Sequence, residues 1–277
     1  MNVIFEAMIT LKIIGICVGM VLGAYIWQGA ARIRRRRRWR AKPIREEWRG
    51  ILEKNVPLYN RLPDELKGHL EGLVNVFLAE KRFEGCGGQE ITDEVKVTIA
   101  GQACMLLLNR KTRYYPRLQT VYVYPAAFVA RQVANEGWTS GEPRQGESWQ
   151  NGPVVLAWNS VKEGAANIGD GRNVVFHEFS HRLDQEDGAA DGAPILEDRS
   201  CYASWAKVLS GEYKALKGKT RKNRKSVISG YGSKNPAEFF AVATEAFLEK
   251  PDQMKKKHPE LYEELKNYYK LDPGEWG

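Results

Sequence analysis

Thiol chemistry has little to work with in this 277-residue chain. Its four cysteines, Cys17, Cys86, Cys104 and Cys201, are scattered and never stand in C-x-x-C spacing. That excludes a disulfide framework and a thiolate metal site, and it suits a reducing compartment. A basic domain is also missing. The chain carries 42 Lys+Arg against 34 Asp+Glu, a net charge of +8. Residues 32–49 hold nine Arg and one Lys against two Glu, so removing them leaves 32 basic and 32 acidic residues. Specific nucleic acid binding is therefore not expected, because it would need basic charge spread over a folded surface. There is no internal repeat, and 43% hydrophobic with 27% charged residues excludes both a disordered chain and a multi-span membrane protein.

Long apolar runs are absent with one exception. Residues 7–28, AMITLKIIGICVGMVLGAYIWQ, carry a single charge, Lys12, and Tyr25 and Trp27 stand near the C-terminal end. About 20 such residues as a helix cross the hydrocarbon core of a bilayer, with aromatic residues at its boundary. A cleaved signal peptide has positive charge before its apolar run, whereas here Glu6 precedes it and Arg32, Arg34–Arg38 and Arg40 follow. The arginine side stays in the cytoplasm by the positive-inside rule. The expectation is a single-pass anchor in the bacterial inner membrane with the N-terminus outside, and residues 7–42 contacting anionic lipid. The domain layout expected is an anchor at 1–28, a basic juxtamembrane segment and linker at 29–54, and a soluble domain at 55–277.

In the soluble part, Lys42 to Pro63 reads as linker, with Pro43, Pro57 and Pro63. Leu66, Leu70, Leu73, Val74, Phe77 and Leu78 mark one helical face, and Thr92-Asp93-Glu94 reads as a helix start. Val121–Tyr124 and Pro153–Trp158 read as strands, with Gly146–Gly152 as a loop between them. Pro153–Trp158 is expected at a sheet edge, where an extended peptide adds as a further strand. Further helices are expected at 173–187, from Asn235 to about Lys250, and, polar in character, near 259–269. Lys214–Lys225 reads as a solvated loop, and His69 and His258 as surface residues. The class is α+β, dominated by helix, with a small sheet.

Two of the four histidines form the motif His177-Glu178-Phe179-Ser180-His181. Residues four apart on a helix point the same way, so both imidazoles reach one metal ion, and Glu178 stands where a general base acts on water. Asn173 fits the N-cap and Gly188 the stop. A catalytic zinc has three protein ligands and an open position. The metzincin extension is excluded, since Asp184 and Asp187 stand where it needs Gly and His. The third ligand is then an acidic residue from a second helix. Glu238 and Glu245 lie seven apart in NPAEFFAVATEAF and share one face. Glu238 equally fits a capping box begun by Asn235, and Glu245 fits a hydrogen-bond partner of an imidazole or a surface carboxylate. Spacing alone leaves these alternatives open.

The strings NVVFHEFSHRLDQEDGAADGAP, VYVYPAAFV, GESWQNGPVVLAW and YGSKNPAEFFAVATEAF occur in order. Together they resemble the zinc peptidase family of Mlc titration factor A over most of residues 55–270, a gluzincin-like family whose core is similar to that of anthrax lethal factor. The resemblance implies a zincin-like metallopeptidase domain with one zinc ion held by His177, His181 and Glu238. It implies Glu178 as general base and Tyr231 as hydrogen-bond donor to the developing oxyanion. It further implies aminopeptidase-like action on a peptide or protein substrate, and a transcriptional repressor as possible partner. The apolar run and the arginines lie outside it, and Arg182 follows the second histidine where many zincins carry an uncharged residue. The expected function is a membrane-anchored zinc metallopeptidase that hydrolyses peptide bonds with a zinc-activated water. The alternative is a non-enzymatic or dual-role regulator that binds a transcription factor or membrane partner through a zinc-stabilised fold.

Overall fold

The protein is described by a computed structural model. It covers the backbone of residues 2–276 apart from 112, 130, 131, 135, 136, 140–142, 145 and 149–151; side chains before residue 15, and most of those between 128 and 151, are not described. The motif GESWQNGPVVLAW therefore falls partly outside the described residues, as do the side chains of Glu6 and Lys12. The chain forms two compact units, 1–42 and 43–277.

The first unit is one helix, α1 (Asn2–Arg40). The arginine run expected as a separate juxtamembrane segment simply continues it, because nothing between Trp27 and Arg40 breaks a helix. Its Gly15–Arg40 stretch is long and apolar enough to cross a membrane. Val21, Leu22, Ile26 and Trp27 are all more than half exposed.

The second unit is a helical domain around a small sheet. Where prolines suggested a linker, the chain forms α2 (Glu46–Asn55) and α3 (Pro57–Arg61). Pro57 occupies the first helical turn, where its missing N–H costs nothing. Leu52, Val56, Leu58, Tyr59 and Leu62 are buried. Arg49 Nε and Tyr59 Oη both donate to Glu71 Oε1, at 2.9 and 2.7 Å, tying these helices to α4 (Asp64–Glu80). β1 (Arg82–Gly85) follows, then α5 (Asp93–Met105), capped as expected by Thr92. After β2 (Thr120–Tyr124) come the short antiparallel pairs β3 (Phe128–Val129) with β6 (Pro143–Arg144) and β4 (Gln132–Ala134) with β5 (Gly137–Thr139). β7 (Gly146–Ser148) and β8 (Val154–Ala157) complete the main sheet, whose order is β1-β2-β8-β7. Its first three strands are parallel and β7 is antiparallel to β8.

The expected edge strand is thus internal. Leu156 pairs with Val123 on one side and Gly146 on the other and is fully buried, and all of β8 reads as a covered strand. The edge beyond β8 is β7, in a segment that glycine and polar residues had suggested was loop. Trp158, expected at the strand's end, opens α6 (Trp158–Ala166).

The remaining helices are α7 (Val174–Asp184), α8 (Cys201–Arg221), α9 (Pro236–Glu249), α10 (Pro251–Lys257) and α11 (Pro259–Tyr269). Most of the lysine stretch is helix rather than loop. Trp205, Leu209 and Leu216 give α8 a buried face, and Lys214 and Lys217 occupy its wet side. His258 is buried rather than superficial, its Nδ1 2.8 Å from Glu212 Oε2 on α8. The helix at 259–269 buries Leu261, Tyr262, Leu265, Tyr268 and Tyr269. Tyr115 packs edge to face on Phe77 and on Phe179 of α7, and Phe247 of α9 stacks against Tyr269. The two helices that carry the chemistry are thereby fixed in place.

Candidate metal centre

Asn173 starts α7. Its Oδ1 accepts the N–H groups of Val175 and Phe176 at 3.1 and 3.0 Å, which satisfies two orphan donors of the first turn. One turn on, His177 and His181 project together, with rings in edge contact at 4.8 Å between centroids. Asn235 starts α9 in the same manner, accepting from the backbone N–H of Glu238 at 2.9 Å. The cap uses only that N–H. The Glu238 carboxylate lies 2.9 Å from His177 Nε2 and 3.5 Å from His181 Nε2. Cap and ligand geometry, which looked like alternatives in the sequence, are carried by different atoms of one residue.

The loop that follows α7 sets the approach of α9. Gly192 has a left-handed φ of 78°, and a Cβ there would lie 2.5 Å from the Pro236 carbonyl oxygen. Its N–H donates to Asp184 Oδ2 at 3.0 Å, and its carbonyl accepts from Trp205 Nε1 at 3.1 Å. Only glycine lets the chain pass here, and that passage holds the start of α9 beside the end of α7. Burial pushes the Asp184 carboxyl up to about 6. Arg182 is likewise buried, with its Nη1 donating to Gln185 Oε1 at 3.0 Å, and burial lowers its pKa to about 10.

His177 Nε2, His181 Nε2 and Glu238 Oε2 are separated by 2.9, 3.2 and 3.5 Å. Tetrahedral ligands about 2.0–2.1 Å from a zinc ion lie about 3.3 Å apart. The triangle is therefore the right size for one face of such a site. Hydrogen bonding makes the same point. His177 Nδ1 is 2.7 Å from Glu245 Oε1, an acceptor, so Nδ1 carries a proton and the neutral ring presents a bare Nε2 towards the Glu238 carboxylate. Two lone pairs facing each other call for positive charge between them. Burial opposes charging His177, but hydrogen bonds to Glu238 and Glu245 outweigh it and raise its pKa well above the ordinary value. Burial likewise pushes Glu238 up, and the two histidines overcome it to hold its carboxyl far below the usual range. In the metal-free site a proton on His177 Nε2 supplies that charge, and a metal cation would take its place in a loaded one.

Glu178, next to the first histidine, packs against the sheet. It is buried, and a Cβ on Gly146 of β7 would stand 2.7 Å from its Oε1. The edge strand thus runs directly over this carboxylate, and only a glycine fits. Tyr231 lies in a 3-10 turn, Gly230–Ser233, that packs on α9. Its ring is half-exposed, 5.7 Å from that of His177, with Lys234 Nζ 3.8 Å from its centroid. All five sequence-nominated residues, His177, Glu178, His181, Tyr231 and Glu238, belong to this one region.

The signature of the glucose-regulated metallo-peptidase M90 family matches residues 30–270. The chain belongs to the M90 metallopeptidase family. Among its relatives is the Synechocystis protein slr2042, described only as uncharacterized. It is 41% identical over 245 residues, 85% of this chain and 89% of that protein. Mlc titration factor A of Salmonella choleraesuis is 27% identical over 246 residues, 86% of this chain and 92% of that one, and the Salmonella typhimurium protein of the same name shows the same figures. M90 membership implies a metal ion, and the His177–His181–Glu238 cluster is present to hold one.

Around the M90 cluster lies a network that joins Asn173 and Glu245, both nominated by the sequence, to Gln102, Gly164 and Glu249, which were not. Glu245 Oε2 accepts the Asn173 N–H at 2.7 Å. Asn173 Nδ2 lies 2.8 Å from Gln102 Oε1 on α5, 3.2 Å from the Gly164 carbonyl on α6, and 3.2 Å from Glu249 Oε1 on α9. The one legible signal was an acidic stripe, Glu238, Glu245 and Glu249, on an otherwise apolar helix. Burial pushes Glu249 up to about 8 from the ordinary 4.5, with Glu245 adding to it against the Asn173 bond. A carboxyl raised on folding stabilises fully below its unfolded pKa, and that stability drains as pH rises through the folded one. Denaturant unfolding of the wild type between pH 5 and 8 should therefore show a decline that Glu249→Gln flattens by a few kcal/mol. Glutamine gives up an acceptor to Asn173 or Arg172, so the slope rather than the absolute stability is compared. Equal slopes would refute this assignment.

Proposed function

We propose that this chain is a zinc-dependent, zincin-like metallopeptidase, with His177, His181 and Glu238 as ligands of one zinc ion. The observation that carries the reading is the triangle of lone pairs, sized for a tetrahedral site, with a buried carboxylate one residue from the first ligand. When bound, zinc polarises the scissile carbonyl and makes a nearby water acidic. Glu178 accepts the proton of that water and returns it to the leaving amine. The Tyr231 phenol donates a hydrogen bond to the oxygen on which charge develops, a role that requires no charge of its own. Glu245 fixes the ring orientation and tautomer of His177 through Nδ1. An extended peptide pairs with β7, the edge strand beside Glu178. Aminopeptidase-like trimming is adopted from the family resemblance.

The domain is tethered by α1 in the inner membrane, single-pass, with the N-terminus outside and the catalytic unit in the cytoplasm. Support comes from the exposed apolar side chains of α1, which water alone leaves unsatisfied, and from the arginines at its C-terminal end. The same arginines contact anionic lipid headgroups.

A second reading, a regulator that captures a transcriptional repressor or a membrane partner, is favoured by the name Mlc titration factor A carried by relatives. The deciding experiment is metal analysis coupled to a peptide-library digest of the full chain. One equivalent of zinc and cleavage that a chelator abolishes and zinc restores are expected. A zinc-loaded chain that cleaves nothing in the library would favour the regulator.

A further inference from the structure

Away from the metal triangle, a cavity of about 300 Å³ opens between the end of α8, the loop that leads to Tyr231, the residues preceding α7 and the end of α9. Four cations line it: Arg172, Arg224, Lys225 and Lys250. Among the described residues none of the four forms an ion pair with a carboxylate. The single acidic residue in the lining, Asp170, is already engaged, its Oδ1 accepting the Arg172 N–H at 2.9 Å and its Oδ2 the Asn167 amide at 2.7 Å. Lys250 runs along Gly171 and has one long contact to a protein acceptor, 3.5 Å to the Val227 carbonyl. Ser226 Oγ is shielded from solvent and has no hydrogen-bond partner. The cavity thus presents three net positive charges that, among the described residues, no carboxylate pairs with.

We propose that this cavity is a binding site for a phosphate monoester. The two guanidinium groups offer planar, bidentate donor pairs that match phosphate oxygens, the ammonium groups add point charge, and Thr220 provides a hydroxyl donor. Its volume is at the lower end of the range for small-molecule sites, which suits a phosphate on a small organic body. The site touches the catalytic constellation through the chain itself. Ser229 and Gly230 line the cavity and the next residue is Tyr231; Arg172 lines it and the next residue is Asn173. Ligand there holds the 226–230 loop and, with it, the placement of Tyr231. This regulatory consequence rests on the peptidase reading, whereas the binding does not.

The test is calorimetric titration of the full chain with glycerol 3-phosphate in zwitterionic nanodiscs, and of phosphatidic-acid nanodiscs as the lipid source of the same group. The wild type should show one saturable site with one of these sources. Arg224→Ala with Lys225→Ala, both exposed, should lower its affinity about tenfold or more. Lys250→Met should do the same, and glutamine at all of Arg34–Arg38 should not. Binding in zwitterionic discs identifies a soluble ligand; binding only to phosphatidic acid, still sensitive to the cavity variants, identifies a headgroup. Absence of saturable binding to both, or binding that follows Arg34–Arg38 and ignores the cavity variants, overturns the proposal. A bound ligand that changes peptide kcat/KM in the wild type alone supports the link to Tyr231. Binding without any peptidase activity would sink the peptidase reading and leave this site standing.

Discussion

Glu178→Gln should lower kcat for peptide hydrolysis by about 10²–10⁴-fold while the protein keeps its metal. Glutamine matches glutamate in shape, and Glu178 is packed against β7 at Gly146, so the fold and the metal triangle should persist. What is lost is the acceptor for the proton of water. Because the loss falls on proton transfer alone, kcat and kcat/KM should drop together. The measurement is steady-state kinetics on whichever peptide the library digest selects, with zinc content determined on the same preparation. Hydrolysis at the wild-type rate in a zinc-loaded variant would remove Glu178 from the mechanism.

Glu238→Gln should weaken zinc binding by more than the ~10–100-fold that loss of an outer partner of a metal ligand typically costs. The substitution replaces an anionic ligand by a neutral amide. It leaves the Asn235 cap in place, because that bond uses the backbone N–H of residue 238. Loss of metal therefore separates from loss of the helix, which circular dichroism and a chelator competition titration can follow side by side. A variant that holds zinc as tightly as the wild type would move the third ligand to Glu245, whose carboxylate lies 2.7 Å from the other nitrogen of His177.

Much of the site could be read from the sequence because its parts are local. The pair at 177 and 181, the caps at Asn173 and Asn235, and the seven-residue step from Glu238 to Glu245 depend only on helical geometry, and each is found on α7 or α9. What stayed hidden depends on pairing across distance. β8 looked like an edge since a covered strand and an edge strand share their β-forming residues, and only the arrival of β7 on its far side distinguishes them. Gly146 appeared as loop punctuation, although its lack of a side chain is what makes room for Glu178. The prolines at 57 and 63 are as compatible with helix starts as with a linker. The lysines of α8 masked a buried face of widely spaced apolar residues. Glu249 and Gln102 acquire meaning only when α5, α6, α7 and α9 meet at Asn173.

That meeting point bears on when the chain can act. Asn173 nucleates the helix bearing both histidines, and its N–H also orders the carboxylate that sets the proton on His177. Its amide is satisfied only while three other helices are docked. A nascent or partly unfolded chain with α9 undocked lacks the Glu245 carboxylate that orients the His177 ring. For the peptidase proposed above, this ties hydrolysis to completion of the fold around α7 and α9.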